Sequence, residues 1–490
     1  MTAVNPSSVV DSVIIGAGLS GLCAAQRLVK RSPSLQIRVI EQQEQVGGNI
    51  TSSASEGFIW EEGPNSFSPS AALLRAAVDA GLENDLVLAD RTLPRFVYWQ
   101  GKLQAVPMSP PSLLSTQLLS QVGKVRAALG AVGFVQPPIG EAIARQGGEE
   151  TIQQFFERHL GSEVMERLVA PFVSGVYAGD PAQLSASAAM RRVTQMADVG
   201  GGLLAGALMS RQRNPKPPVD PDLPTTRPGE LGSFKDGLVA LPKAIASQLG
   251  DRVQLNCRVT AVQRSAEQCY TIHLETPDGP QQIITRSLVV TAPADAAAML
   301  LHQIAPAARP ALQAIPYPPV ACVVLAYPTA HFRVSLRGFG NLIPRHQGIR
   351  TLGSIWSSSL FPGRAPDGWA LLTNFIGGAT DEAIASLSQE QIVAEVDRDL
   401  RAMLLMPDAP EPTVLAVHLW KRAIPQYTLG HQQRLNTIHQ AIAGLPGLYL
   451  CSNYLDGVSL GDCARRGQET ADRICSYLSD HGAAIRDACS

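Results

Sequence analysis

The feature that most restricts this chain is a glycine hexapeptide, Gly16-Ala17-Gly18-Leu19-Ser20-Gly21. It lies between a β-branched run, Val9 to Ile15, and a stretch, Leu19 to Lys30, whose apolar residues recur at helical spacing until Ser32-Pro33. Strand, tight turn and helix are the setting in which G-x-G-x-x-G has physical meaning. The first glycine permits the turn, and the second lets backbone N–H groups approach a pyrophosphate. The third lets the helix close on the strand, and the helix N-terminus favours the anion. A second β-branched segment, Gln36 to Ile40, completes a βαβ unit. It leads into Glu41, 20 residues beyond Gly21, where a carboxylate can accept hydrogen bonds from ribose hydroxyls. The chain is therefore expected to begin with an adenine-dinucleotide site.

The residues after that strand bear on which dinucleotide. Glu41-Gln42 leads to Gly47-Gly48-Asn49, and paired glycines there let the chain pass close to an extended cofactor, a pattern commoner in FAD enzymes than in NAD dehydrogenases. A disulfide reductase would add a second fingerprint and a reactive cysteine pair. The 8 cysteines are thinly spread with no C-x-x-C, so neither a dithiol nor a zinc site is expected, and a reducing compartment fits best. A small molecule such as oxygen is then the expected acceptor. Gly200 to Ala205 spells G-x-G-x-x-A, but no strand precedes it. Gly457-Val458-Ser459-Leu460-Gly461 matches the nucleophile elbow of hydrolases, yet only 29 residues follow Gly461 and His481 is the sole histidine among them. The competing reading is that N–H groups of this turn and of the following helix face the flavin N1–C2=O edge, where charge accumulates on reduction.

Composition excludes several classes. In 490 residues, 40 Lys+Arg nearly cancel 42 Asp+Glu, so no nucleic-acid partner is expected. Charged residues are 17% and hydrophobic ones 45%, which excludes a disordered chain and leaves room for an apolar surface or cavity. Pro310 to Phe332 is uncharged but broken by Pro316, Pro318, Pro319 and Pro328, so no spanning helix is expected. The start lacks the basic and apolar regions of a signal peptide, and the chain is expected to stay where it is made. Further strands are expected at Gly57–Trp60, Val253–Val262, Tyr270–Glu275, Ile283–Val290, 320–327, 349–356, 369–376 and Leu448–Cys451. Helices are expected at Ser70–Ala80, Ser112–Phe134, Thr151–Pro171, Leu238–Leu249, Ser388–Leu405 and Ala464–Leu478. The prolines of Arg211 to Pro228 mark an extended linker.

Six segments carry a resemblance: Val-Gly-Gly-Asn-Ile-Thr (46–51), Trp-Glu-Glu-Gly-Pro-Asn-Ser-Phe (60–67), Ser-Gly-Val-Tyr-Ala-Gly-Asp-Pro (174–181), Gly-Ser-Phe-Lys-Asp-Gly-Leu (232–238), Trp-Lys-Arg-Ala-Ile-Pro-Gln-Tyr (420–427) and Asn-Tyr-Leu-Asp-Gly-Val-Ser-Leu-Gly-Asp-Cys (453–463). Together the chain resembles the oxygen-dependent protoporphyrinogen IX oxidases of the flavin amine oxidase superfamily. The Pro-rich linker looks closer to the plastid type, which suggests a cyanobacterial or similar bacterial source. The resemblance implies an α/β fold with a Rossmann-like FAD-binding domain (1–90, 230–300 and 430–490). It adds a mixed-sheet substrate domain (91–110 and 301–429), a helical membrane-surface domain (111–208) and a linker (209–229). It also implies noncovalent FAD, oxidation of protoporphyrinogen IX with oxygen giving hydrogen peroxide, and a cytoplasmic protein attached peripherally to a membrane. A homodimer is compatible with it. The alternatives are a coproporphyrinogen III oxidase, a flavin amine oxidase, or a flavin-binding protein without turnover.

Carried over position by position, the resemblance makes Arg95 the partner of a substrate propionate, a task that suits a planar guanidinium fork. Phe375 stacks on the tetrapyrrole, Leu342 and Ile355 sandwich a pyrrole ring, and a Gly175-Val176 turn lines the same pocket. Gly63, Pro64, Asn65, Ser66, Val259 and Trp420 lie near FAD. Hydride transfer from a methylene-bridge carbon to flavin N5 asks for orientation more than for a strong base. No general acid, base or metal is assigned, and the nine histidines, which form no constellation, are read as structural or exposed.

Overall fold

The computed structural model describes residues 8–134, 148–200, 202–204, 206, 209, 220–265 and 269–489. Two seven-stranded sheets organise them. In the first, β1 (Ser8–Ile15) lies between β2 (Ile37–Ile40) and β12 (Gly279–Val290), parallel to both. A strand flanked on both edges and covered on both faces must be apolar almost throughout, and Val10 to Ile15 is buried at every position. β9 (Val253–Gln254) adds to β2 and β18 (Leu448–Leu450) to β12. The antiparallel pair β10 (Arg258–Arg264) and β11 (Tyr270–Thr276) completes the other edge. The start, middle and end of the chain thus share one sheet.

Helices Leu19–Arg31, Ala71–Asp79 and Ala240–Leu249 and the buried part of Leu460–Cys489 cover one face of this sheet. The other face carries Ala294–Leu300, Arg309–Gln313 and His431–Ile442. Leu301, Ala305, Ala308, Leu312 and Ile315 belong to that second core, so the junction expected at 300/301 falls later, toward Pro316.

The second sheet runs β17 (Thr413–Trp420), β13 (Val320–Pro328), β16 (Trp369–Gly377), β15 (Thr351–Trp356), β14 (Gly340–Leu342), β6 (Arg95–Trp99), β7 (Lys102–Ala105). Helix Gln389–Met403 packs on its far face. The hairpin β3–β4 (Ser52–Ser55, Phe58–Glu61) leaves the first sheet and lays Phe58 and Trp60 on Cys322 and Val324 of the second. β5 (Leu86–Leu88) pairs with β8 (Gly232–Phe234).

The structure departs from expectation at several points. Ser112–Phe134 is not one helical stretch but two helices, Pro110–Ser115 and Gln121–Ala131. Thr116 is extended, and Ser120 opens a new helix by accepting from the Gly123 N–H at 3.0 Å. Val253–Val262 splits into β9 and β10 around Asn256, which sits at φ +54°. Gly175-Val176 lies within helix Ala170–Tyr177, not in a turn. Cys269 is disulfide-bonded, whereas the thinly spread cysteines suggested a reducing compartment. Parts of the helical region and of the Pro-rich linker, with Gly201 and Ala205 of the Gly200–Ala205 motif, lie outside the described residues.

The β3–β4 hairpin is tied down by a buried carboxylate. Glu61 accepts from the Leu238 N–H at 2.9 Å and from the Ser52 hydroxyl, with Arg364 at 3.7 Å. Burial nevertheless pushes its pKa up from 4.5 to about 7. A carboxyl whose folded value is raised binds its proton more tightly when folded. Its contribution is therefore full below about pH 4.5 and is lost as pH climbs through 7. Denaturant titrations should show stability falling over that window by up to about 3 kcal/mol. The Glu61→Gln chain should lack that slope, and an identical slope in both proteins would refute the assignment.

Candidate active site

A cavity of about 2950 Å³ runs between the two sheets. Its first wall is the β1 turn. Gly16 takes φ +106°, and a Cβ there would lie 2.3 Å from Thr291 Oγ1. Gly18 opens onto space, with no atom within 4 Å of a Cβ built on it. Gly16, Gly18, Leu19 and Ser20 line the cavity, as do Glu41, Gln42, Gly47, Gly48 and Asn49. Ala17 and Gly21 do not. The Ala17 N–H is turned inward to Glu41 Oε2 at 2.8 Å, and a Cβ at Gly21 would lie 2.1 Å from the Gly16 carbonyl oxygen. These two residues shape the turn rather than face a ligand. Glu41 Oε1 also accepts from the Gln43 N–H at 2.9 Å, so each carboxylate oxygen keeps a lone pair for a further donor.

Farther along, the Gly63-Pro64-Asn65-Ser66 turn borders the cavity. A Cβ at Gly63 would lie 2.1 Å from the Asn49 carbonyl oxygen, so this turn is tied to the first. Asn65 is buried; its Nδ2 donates to Ser357 Oγ at 3.3 Å, while its Oδ1 has no hydrogen-bond partner. Trp420 donates from Nε1 to the Glu62 carbonyl at 2.7 Å. Val259 lines the wall from β10, and Gly457, Val458, Ser459 and Leu460 line it from the mouth of the C-terminal helix. Ser459 Oγ is engaged in capping that helix. It donates to Asp462 Oδ2 at 2.5 Å and accepts from the Asp462 N–H at 3.1 Å, and no described histidine bonds it. That is a helix cap, not a hydrolase nucleophile.

Strand register builds the remaining wall. One rung of the second sheet carries Arg95, Gly340, Ile355 and Thr373 side by side, and the next carries Val97, Leu342, Gly353 and Phe375. Neighbours in register share a face, so Arg95, Leu342, Ile355 and Phe375 converge on the cavity. Gly353, between Leu342 and Phe375, leaves room for the Leu342 side chain, whose Cδ2 would lie 3.0 Å from a Cβ built there. From the opposite side comes Gly175, whose absent Cβ would lie 2.3 Å from Leu342 Cδ2, with Val176 next to it. The Arg95 guanidinium lies 5.5 Å from the centre of the Phe339 ring and forms no ion pair with any described residue. Glu62 and His418 also reach this wall, although nothing in their spacing signals a site. Met108, Phe172, Arg191 and Arg192 are likewise among its lining residues.

The chemistry of this wall fits an extended dinucleotide. Two helix N-termini meet it, a glycine leaves open space beside the first, and an unpartnered amide oxygen waits at the buried Asn65. The comparisons agree. A family model described as "Flavin containing amine oxidoreductase" matches residues 19–475. The chain belongs to the flavin-containing amine oxidoreductase family. It is an FAD-dependent oxidoreductase. Over 484 residues it is 45% identical to the chloroplastic protoporphyrinogen oxidase of Oryza sativa subsp. japonica, covering 96% of this chain and 89% of the relative. It is 30% identical to the coproporphyrinogen III oxidase of Bacillus subtilis, covering 95% and 98%. A crystal structure from Exiguobacterium sp. 255-15 superposes with a TM-score of 0.77 at 23% identity, covering 97% of this chain and 99% of that one, a likeness of fold.

In this flavin-dependent family member, Gly21 should tolerate no side chain, because the opposing atom is backbone and cannot swing aside. Gly21→Ala should cost about 1–3 kcal/mol and reduce the flavin retained through purification. A variant that keeps full flavin absorbance and wild-type stability would overturn this account of the turn.

Proposed function

We propose that the chain oxidises protoporphyrinogen IX to protoporphyrin IX with oxygen as acceptor, releasing hydrogen peroxide, as a step of tetrapyrrole biosynthesis. The observation that carries this reading is the apolar sheet face of Leu342, Ile355 and Phe375, edged by Arg95, which forms no ion pair among the described residues, within the same cavity as the dinucleotide wall. The 45% identity to the rice enzyme supports the protoporphyrinogen form over the coproporphyrinogen form found at 30%.

When bound, FAD supplies a two-electron acceptor for a hydride leaving the macrocycle. This chain's residues bind and orient. Glu41 accepts from ribose hydroxyls, and the N–H groups at Gly18 to Ser20 meet the pyrophosphate. The turn at Gly457 to Leu460 opens a long helix whose positive end would stabilise charge on a reduced flavin, and Asn65 Oδ1, without a partner here, would accept from a bound N–H. Gly63, Pro64, Ser66, Val259 and Trp420 border the cofactor, and Gly47 to Asn49 let it pass. Leu342, Ile355, Phe375, Gly175 and Val176 enclose the flat ring system, and Arg95 fixes a propionate and with it which bridge carbon approaches the flavin.

A membrane surface completes the proposal. Helix Gln121–Ala131 turns its small residues Gly123, Ala127 and Gly130 inward, whereas Val122 is 79% exposed and Phe134, just beyond the helix, 82%. Val125, Leu129, Leu114 and Met108 are also exposed, and Met108, Phe172 and Val176 both line the cavity and face outward. An outward apolar helix face in one domain with the cavity suits the headgroup layer and delivery of an apolar substrate. No described helix is long and apolar enough to cross a membrane.

Purified protein given protoporphyrinogen IX and coproporphyrinogen III in parallel should develop porphyrin fluorescence faster with the first; a preference for the second would assign the alternative activity. Arg95→Ala should raise KM about tenfold to a hundredfold with flavin content intact, and unchanged kinetics would remove Arg95 from the site. Val122→Glu with Val125→Glu should reduce co-sedimentation with phospholipid vesicles. If the double variant instead binds vesicles like wild type but loses a dimer, a second copy of the chain covers this face.

A further inference from the structure

One pair of side chains on the cavity wall, unused above, has the arrangement of a proton acceptor. His418 Nδ1 lies 3.4 Å from Glu62 Oε2. The other carboxylate oxygen, Oε1, is occupied by the Ser53 hydroxyl at 3.0 Å and the Trp60 indole N–H at 3.2 Å, which orients the carboxylate and leaves Oε2 for the imidazole. The imidazole lies against Trp420, ring centres 4.0 Å apart, so its plane is fixed as well. Its second nitrogen, Nε2, bonds no described residue, and both His418 and Glu62 line the cavity.

Register places this pair beside the apolar face. His418 is the partner of Cys322, and Cys322 is the partner of Phe375, so the imidazole stands two strands, about 10 Å, along the rung that carries Leu342 and Phe375. Glu62 immediately precedes the Gly63 turn that ties the dinucleotide wall together. The pair therefore lies where the two halves of the cavity meet.

We propose that His418, held by Glu62, takes up the proton that the macrocycle releases in each two-electron oxidation, an inference that rests on the porphyrinogen reading above. In each step one C–H bond at a methylene bridge breaks, and its electron pair leaves as hydride to the flavin, which is reduced. A proton leaves as well, from a pyrrole N–H in two of the three steps and from the remaining methylene bridge in the other, and the electron pair of the bond it leaves stays in the macrocycle, which is thereby oxidised by two electrons. The proton forms a new bond to His418 Nε2, giving an imidazolium beside the Glu62 carboxylate. When oxygen takes up the hydride, this proton accompanies it to give hydrogen peroxide, and His418 returns to its neutral form. His418 is the catalytic residue and Glu62 its positioning residue.

The electrostatics agree with this order. The imidazole beside it is the main reason the Glu62 carboxyl is held below its ordinary value, so Glu62 stays ionised. Glu61 is turned away to Ser52, Leu238 and Arg364. Arg422, on the segment after β17, is engaged by Asp295 at 3.2 Å and lies over Tyr317, and Cys322 Sγ is turned to the Glu61 carbonyl. Glu62 is thus the charged group facing the ring among the described residues.

The test uses flavin-loaded protein. With wild type, anaerobic flavin reduction by protoporphyrinogen IX should speed up with pH as the imidazole loses its proton. In His418→Gln the rate should fall about a hundredfold and that limb should vanish, with flavin content unchanged and added imidazole restoring part of the rate to His418→Ala. Independently of turnover, NMR of histidine-labelled holoenzyme should locate the His418 titration by its absence in His418→Gln, and Glu62→Gln should move its midpoint to lower pH. An unaltered pH profile in His418→Gln, or an unmoved midpoint in Glu62→Gln, overturns the inference while leaving the substrate assignment in place. Wild-type protein inert toward both porphyrinogens overturns the substrate assignment and this inference with it.

Discussion

A single hydrogen bond at the end of the central strand holds the cofactor wall in shape. The Glu41 carboxylate draws the Ala17 N–H inward, which leaves Gly18 and the first N–H groups of helix Leu19–Arg31 facing the cavity. The bond exists because β1 and β2 are parallel neighbours whose C-termini are level, Ile15 beside Ile40. Parallel pairing forces these termini together, and the crevice beyond them is where α/β sheets bind ligands. The residue that is expected to meet the ribose is thus also the one that fixes the turn.

The other half of the cavity is made by omission. In a close-packed interior, side chains of neighbouring rungs would meet, and empty space forfeits dispersion contacts. Here Gly340 permits the close approach of the Ser354–Ile355 backbone, and Gly353 and Gly175 make room for the Leu342 side chain on the wall it shares with Arg95, Ile355 and Phe375. This wall is held in place because helix Gln389–Met403 packs on the far face of its sheet. A rigid flat slot beside a dinucleotide wall suits a planar substrate whose orientation matters more than its activation.

The hairpin β3–β4 joins the halves. Trp60 packs on the second sheet, Glu61 is bonded to Leu238 from the first half, and Glu62 reaches His418. Structural anchoring and a candidate proton site thus share consecutive residues. Burial sends the Glu61 carboxyl up while the neighbouring Glu62 is held down by its imidazole. Two adjacent carboxyls with opposite shifts are the pattern by which one segment supplies two different functions.

The βαβ opening was legible because strand, glycine turn and helix are local, as were the helix starts at Ser70 and Ser388. β14, three residues long, and the strands β6 and β7 beside it were not, because short segments carry little periodicity and the β14–β6 pairing joins residues far apart in sequence. The Gly175-Val176 pair could be singled out but not its helix, which continues across a π-type turn at Met165–Val169. His418 gave no signal, since a lone histidine in an apolar strand acquires meaning only from a carboxylate 356 positions away in sequence. By itself the sequence determined the dinucleotide turn, the chemistry of its glycines and the class of cofactor, because those depend on contacts within a few tens of residues. Only the tertiary structure decided which side chains share the second wall, that Ala17 and Gly21 face inward, and that the apolar side of Gln121–Ala131 faces out. Register and burial are set by partners that the order of residues along the chain does not display.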